Sequence, residues 1–306
     1  MTILPKISIV TPSFNQGQFL EYTLKSVLDQ NYPNLEYFVI DGGSTDNSVE
    51  IIKKYSDKIT DWVSEKDKGH GNALNKGFRG STGEIMAWIN SDDLYFPGTF
   101  RFVAEVFNRF PHVNWIVGLN SFIRNSSVFR VEKIYKNKYD YMLGDFKWIQ
   151  QESVFWRRSL WEKAGGNINE DYKFMIDGEL WCRFFKYDKL YHVNTILAGY
   201  RAHDTNRASA FYNECLVEMD KAINTLKEDS DQKVKANLRK LRVLTGVNLV
   251  LRYKAKKRSR LFEFSPINAI SKIALPNLVK ECAYPILTPD RFGNWNESVV
   301  PYFLGY

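Results

Sequence analysis

A chain of 306 residues, 44% of them hydrophobic, can bury one large α/β core or two modest ones. Its formal net charge of +7 comes largely from one late segment, and residues 1–100 carry no excess of positive charge, which argues against a nucleic-acid footprint there. Three widely spaced cysteines, Cys182, Cys215 and Cys282, fit neither a disulfide framework nor a metal knuckle, so a reducing compartment is expected.

The opening MTILPKISIVTP lacks the charged head, long apolar run and cleavage site of a signal peptide. No apolar run approaches the roughly 18–20 residues of a spanning helix. Both features lead to an expected cytoplasmic location. Ile7 to Val10 is β-branched and stops at Thr11-Pro12, because proline cannot continue a central strand. Phe19, Leu20, Thr23, Leu24, Val27 and Leu28 then recur with helical spacing. Leu35 to Ile40 is a second strand with almost no polar interruption. Asn47 and Glu50 have the spacing of a capping box ahead of a short helix that ends near Tyr55. A strand over Ile59 to Val63, a helix over Ala73 to Phe78 and a strand over Glu84 to Ile89 follow. Pro97 is placed to open a helix carrying Phe100, Val103, Ala104 and Phe107. One-sided helices alternating with near-continuous apolar strands describe a mostly parallel sheet covered on both faces.

In such a sheet, ligands sit where strands end and loops fan out. The strand ends read Thr11-Pro12-Ser13-Phe14-Asn15, Asp41-Gly42-Gly43-Ser44-Thr45-Asp46, Glu65-Lys66-Asp67-Lys68-Gly69 and Asn90-Ser91-Asp92-Asp93. Converging acidic loops repel unless a cation or a set of hydrogen-bond donors lies between them, so a divalent ion and a phosphate are expected at Asn90–Asp93. A solvated turn that caps the next helix would also explain that tetrapeptide. A nicotinamide-dinucleotide domain needs G-x-G-x-x-G directly after the first strand; the chain has TPSFNQG there, with one glycine. A P-loop is equally absent.

The stretches ISIVTPSFNQGQFLEYTLKSVLDQNYPNLEYFVIDGGSTDNS, SEKDKGHGNALNKG and TGEIMAWINSDDLYFPG, in that order and spacing, resemble the donor-binding half of family 2 glycosyltransferases, the inverting enzymes of the GT-A fold. The resemblance implies a Rossmann-like sheet that binds a nucleotide sugar through Thr11, Pro12, Ser13, Asn15, Asp41, Asp67, Asn75 and Asp92. Asp41 and Asp67 would lie at the base and Asp92 at the ribose and metal. Asp93 would be the principal ligand of Mn2+ or Mg2+, with His203 completing the shell. Two departures stand out. Asp41-Gly42 replaces the two aspartates of many relatives, which weakens the case for a uridine donor, and His70-Gly71-Asn72 replaces an aromatic-acidic pair.

Val113 to Gly118 reads as another strand, and 119–148 as a hairpin and loop. The run Ile149 to Phe155 leads into Arg157-Arg158, and Ser159 with Glu162 has capping-box spacing before Gly165-Gly166. By resemblance this run lines the acceptor side, so Arg157 and Arg158 are candidate phosphate or acceptor contacts; a solvated basic corner is the plainer explanation. In Asp177-Gly178-Glu179-Leu180-Trp181-Cys182-Arg183, Asp177 shares the buried side of the helix start, while Glu179 sits four residues before Arg183 and suits a surface ion pair. The family pattern places the catalytic base at Asp177. Arg201 and His203 follow a short strand, and Arg201 could assist the phosphates.

The expected organisation is a catalytic domain over 1–210, with its donor-binding half over residues 1–118 and its acceptor half over residues 119–210. A largely helical extension spans 211–306. Within it, 233–260 carries eleven Lys or Arg and no acidic residue, which suits either peripheral contact with the inner face of an anionic membrane or a packed appendage with a solvated side. The expected partners are a nucleotide-sugar donor and a glycan or lipid-linked saccharide acceptor, with no nucleic acid. A nucleotidyltransferase acting on sugar phosphates, or a catalytically silent binding module, would use similar loops. The first lacks a basic residue in Ser13 to Gly17; the second has no reason to keep both Asp93 and Asp177.

Overall fold

The structure is a computed structural model describing residues 4–124, 127–146, 149–203, 211–256, 276–290 and 294–300; for 245–256, 276, 277 and 279 it gives the backbone path alone. In chain order the first elements are β1 (Ile7–Ser13), α1 (Gly17–Leu28), β2 (Leu35–Asp41), α2 (Ser48–Lys54), β3 (Asp61–Ser64), α3 (His70–Gly80) and β4 (Ile85–Trp88). They form the alternating unit that the apolar periodicity anticipates. β1 pairs in parallel with β2 and β4, and β2 with β3. All seven residues of β1 are buried, as a strand covered on both faces requires.

Next come β5 (Leu94–Tyr95), α4 (Thr99–Arg109), β6 (Trp115–Val117), β7 (Asn120–Arg124), β8 (Ser127–Glu132) and α5 (Lys138–Met142). A 3₁₀ turn over Gln151–Ser153 leads into β9 (Val154–Arg157), followed by α6 (Arg158–Lys163), α7 (Ile176–Tyr187), β10 (Tyr191–Val193) and β11 (Ala198–Arg201). β9 inserts between β4 and β6 and runs antiparallel to both. The sheet is therefore mixed. That reversal puts the start of β9 at the end of the sheet where β4 stops, and Arg157 at the opposite end.

The last described elements are α8 (Tyr212–Asp229), α9 (Gln232–Lys256), α10 (Pro276–Glu281), β12 (Tyr284–Pro289) and β13 (Trp295–Val300). The nine-stranded sheet has the order β13-β12-β10-β6-β9-β4-β1-β2-β3, and a second sheet has the order β5-β11-β7-β8. The extension is thus not purely helical. β12 joins β10 in parallel, with Tyr284, Ile286 and Leu287 buried, and extends the sheet begun by the first strands. The parts 1–118 and 119–210 share one sheet, since β9 and β10 belong to the same sheet as β1 to β4.

A cluster of indoles fills the centre. Trp88, Trp115, Trp156 and Trp181 are each at most 1% exposed, and the rings of Trp88 and Trp181 stack at 5.8 Å. Such rings contribute large apolar areas and well-defined geometry to a core. Gly77 of α3 lets the helix lie against β1 and β2, because a Cβ there would meet Val10 and Ile40.

Two expected capping boxes do not form. Asn47 precedes α2 and Arg157 precedes α6, and neither makes a side-chain cap. Asn47 has φ −76° and ψ 9°, outside the extended conformation that aims a cap back at the first turn. Asp46 takes the Ser48 N–H instead. The observed capping box is Asn137 with Asp140, at α5. Pro97 does not open α4; Gly98, at φ +82°, does.

The basic stretch 233–260 begins as a packed helix. Val234, Asn237, Leu238 and Leu241 of α9 are buried, and Asn237 donates to Tyr139 and to Glu281. Residues 257–260 lie outside the described residues. Among those described, no helix is long and apolar enough to cross a membrane.

Candidate active site

A cavity of about 1020 Å³ opens at the ends of β1, β2 and β4. One side is lined by Pro12, Ser13, Gly42, Gly43 and Asp67, and the other by Met175, Ile176, Asp177, Tyr212 and Cys215, with Asp92 between them. The volume lies at the upper end of the range for small-molecule sites.

On the first side, Asp41 is fully buried, and it shapes the loop instead of facing the cavity. Its carboxylate accepts from the backbone N–H of Gly43 and Ser44 and from the hydroxyls of Ser44 and Ser64. Above it, a Cβ at Gly42 would come within 2.9 Å of Asp67 Oδ2. Asp67 thus occupies the space that a second aspartate in that loop would need. It is also tied down, since its Oδ1 accepts from Gly69 N–H at 2.8 Å.

Thr11 and Asn15 are equally structural. The Thr11 hydroxyl pairs with Tyr37 in the core, and Asn15 Oδ1 accepts from Thr45 N–H, joining the first two loops. Asn75, expected at the donor, does not line the cavity. Its amide is bonded to the backbone of Ile168 and to Glu170, and so staples the loop after α6 onto α3.

The loop after β4 is gripped from two directions. Thr23 of α1 donates its hydroxyl to the carbonyls of Ser91 and Asp93. Arg201 donates its Nε to the Asp92 carbonyl at 2.6 Å and its backbone N–H to Asp93 Oδ1 at 2.8 Å, with its guanidinium over the rings of Phe19 and Tyr22. Arg201 is therefore a clamp on this loop. Asp93, the expected metal ligand, lines the cavity together with Asp92. At 1% exposure it shares a hydrogen bond with buried Glu152, and its carboxyl is pushed far above the usual carboxylate range by burial and by neighbouring Glu152 and Asp92. Glu152 rises for the same leading reason, burial. Two carboxyls held together out of water share a proton in preference to both ionising.

Asp92 is the carboxylate that meets the histidine. Its Oδ2 lies 3.1 Å from His203 Nε2, and the His203 ring packs on Phe19 at 4.7 Å. Among the described residues, no group of three or more His, Cys, Asp or Glu is placed to hold a metal. The donor set nevertheless fits a divalent ion of the kind that takes one carboxylate and one imidazole from protein and the rest from phosphate and water.

Arg157 and Arg158 are the clearest departure from expectation. Arg157 bonds to the carbonyls of Val113 and Phe107 and to Glu84; Arg158 bonds to the Gly83 carbonyl and the Ser81 hydroxyl. Both sit at the far end of β9, and neither lines the cavity.

Asp177 stands on the first turn of α7, one residue past its start; Met175 occupies the N-cap position. The carboxyl lines the cavity, and burial pushes it up to about 6, with nearby Glu218 adding to the rise and the N–H groups of Gly178 and Asp177 opposing it. Glu179 is bound at both oxygens by Arg183, Oε1 to Nε and Oε2 to Nη2, each at 2.8 Å. That pair is 10% and 16% exposed, so it is buried and not a surface pair.

Helix α8 supports this side of the site. Glu218 accepts from the backbone N–H groups of Lys173, Phe174 and Met175, and Met219 packs where a Cβ on Gly178 would otherwise stand. Sequence reasoning misses both Glu152 and Glu218. Gln150-Gln151-Glu152-Ser153 does carry a signal, being four polar residues abutting an apolar strand, as at 90–93; all four are buried. Glu218 sits in an ordinary-looking amphipathic helix and carries none.

Comparison with known proteins follows the same lines. Residues 8–190 match the model of Glycosyl transferase family 2. An uncharacterized glycosyltransferase of Rickettsia typhi is 28% identical over 221 residues, covering 70% of this chain and 69% of the relative. A putative teichuronic acid biosynthesis glycosyltransferase of Bacillus subtilis, TuaG, is 36% identical over 93 residues, covering 29% of this chain and 36% of that protein. The fold is shared with S. aureus TarS (residues 1–349) in complex with UDP-GlcNAc, at a TM-score of 0.62 and 17% identity over 90% of this chain and 80% of that one. It is also shared with the mannosyltransferase PcManGT of Pyrobaculum calidifontis in complex with GDP-Man and Mn2+, at a TM-score of 0.52 and 16% identity over 89% and 84%. With a family match over more than half its length and a Rossmann-like GT-A core, the chain belongs to glycosyl transferase family 2 and is a glycosyltransferase.

Proposed function

We propose that the chain transfers a sugar, with inversion, from a uridine-diphosphate donor to a hydroxyl of a glycan or lipid-linked saccharide. The observation that carries this reading is that one cavity has the strand-end loops on one side, Asp177 on the other and Asp92 between. The nucleotide would lie over Pro12, Ser13, Gly42 and Asp67, with the diphosphate reaching Asp92. Asp177 would accept the proton of the acceptor hydroxyl as its oxygen bonds to the anomeric carbon. The bond from that carbon to the diphosphate breaks on the opposite side, and the electron pair leaves with the diphosphate. Asp92 and His203 would hold a divalent ion, which when bound neutralises the charge on the departing group. One carboxylate is enough, since no second one has to flank the bond as in a hydrolase. The uridine preference draws on the likeness to TarS, whose structure holds UDP-GlcNAc. Titration calorimetry with UDP, GDP and CDP, with and without Mn2+, tests it. UDP is expected to bind most tightly and to need the metal; tighter GDP binding would contradict the donor assignment.

A further inference from the structure

We propose that Phe174, Phe211 and Tyr212 form a platform for the ring of an acceptor sugar beside Asp177, with Tyr212 supplied by the helix that follows the family-matched region. This rests on the reading of Asp177 as the base and specifies the acceptor side of the same cavity. Phe174 and Tyr212 line the cavity beside Asp177. Phe211 stacks on Phe174, with ring centroids 4.8 Å apart and an interplanar angle of 29°. Tyr212 is 60% exposed and Phe211 40%. Phe211 thus backs a ring of the lining, and exposed Tyr212 at the cavity leaves uncovered apolar area that folding would otherwise bury, which marks a binding surface.

The platform is built, not incidental. Glu218 takes three consecutive backbone N–H groups at Lys173, Phe174 and Met175, and those residues run directly into α7 and Asp177. Glu218 and Tyr212 both belong to α8, so one helix fixes the approach to the base and supplies some of the surface beside it. A pyranose suits that surface. The axial C–H groups on one ring face are apolar and slightly positive, matching the negative face of an aromatic ring, while the hydroxyls on the edge stay free. One such hydroxyl can then point at Asp177. The loops that would take the nucleotide lie on the other side of the cavity, which leaves this side for a second sugar.

Saturation-transfer difference NMR reads the contact without knowledge of the natural acceptor. The probes are methyl β-D-glucopyranoside, methyl β-D-galactopyranoside and the methyl β-glycoside of N-acetylglucosamine, with ribitol as a linear polyol, all in the presence of UDP and Mn2+. At least one pyranoside is expected to receive saturation on its axial ring protons. Its affinity should fall about two- to tenfold in Tyr212→Ala and in Phe211→Ala. Tyr187→Ala, an exposed ring that does not line the cavity, should leave it unchanged. UDP binding, measured on the same samples, separates the two readings. Intact UDP binding with no pyranoside contact, with contact indifferent to Tyr212 and Phe211, or with ribitol preferred at the rim overturns the platform alone. Loss of UDP binding in the unaltered protein overturns the donor reading beneath it.

Discussion

Asp177→Asn is expected to lower turnover by a factor on the order of 10²–10⁴ while leaving donor affinity unchanged and making the protein more stable. The carboxyl is raised from 3.8 to about 6, chiefly by burial. A group raised in this way binds its proton more tightly in the folded state. Its ionised form therefore costs stability, fully above about pH 6, and the cost disappears as pH falls below 3.8. At pH 7 the cost is on the order of 1–3 kcal/mol, and asparagine at the same place does not bear it. If Asp177 only capped α7, its loss would instead destabilise by about 1 kcal/mol; Met175 holds that position. The rate of the unaltered enzyme should fall about tenfold per pH unit below 6, as the base becomes protonated. Urea titration, calorimetric donor binding and a pH–rate profile check these three effects. Glu179→Gln should touch the rate little but cost stability, because Arg183 would lose a buried, charged partner.

The second large effect separates the two neighbouring aspartates. Asp92→Ala removes the carboxylate that faces His203, and Mn2+-dependent UDP affinity is expected to fall by at least about 10–100-fold. Asp93→Asn should keep most of that affinity. Its carboxyl is 1% exposed and spends Oδ1 on the Arg201 N–H, a bond that an asparagine oxygen can also accept. Calorimetry with and without Mn2+ on both variants decides the matter. Loss of metal-dependent binding in the Asp93 variant alone would return the ligand role to Asp93.

The strands and their ends are legible because a strand buried on both faces leaves a run such as Leu35 to Ile40, followed by the polar loop of Asp41 to Asp46. Asp177 is separable from Glu179 because α7 has a fixed period and Arg183 stands one turn beyond Glu179. Direction is not legible. Nothing in Val154–Arg157 says that the strand runs against its neighbours, yet that reversal carries Arg157 and Arg158 away from the cavity and brings Glu152 to it. Nor can the roles of Asp92 and Asp93 be ordered from sequence, since Asp93 Oδ1 is engaged by the backbone N–H of Arg201, 108 residues away. The capping box fails at Asn47 because spacing is only half of the requirement; the backbone angles are the other half. The hairpin of β12 and β13 pairs with β10, a long-range contact that local composition does not encode.

The stereochemistry of slow donor hydrolysis tests the central claim most directly, because water can replace an acceptor whose identity is not needed. With an α-linked UDP-sugar and Mn2+, the sugar released first should be the β-anomer, observed by NMR before mutarotation, and Asp177→Asn should release almost none. First release of the α-anomer, or equal release by the Asp177 variant, would contradict single-step inversion with Asp177 as its base.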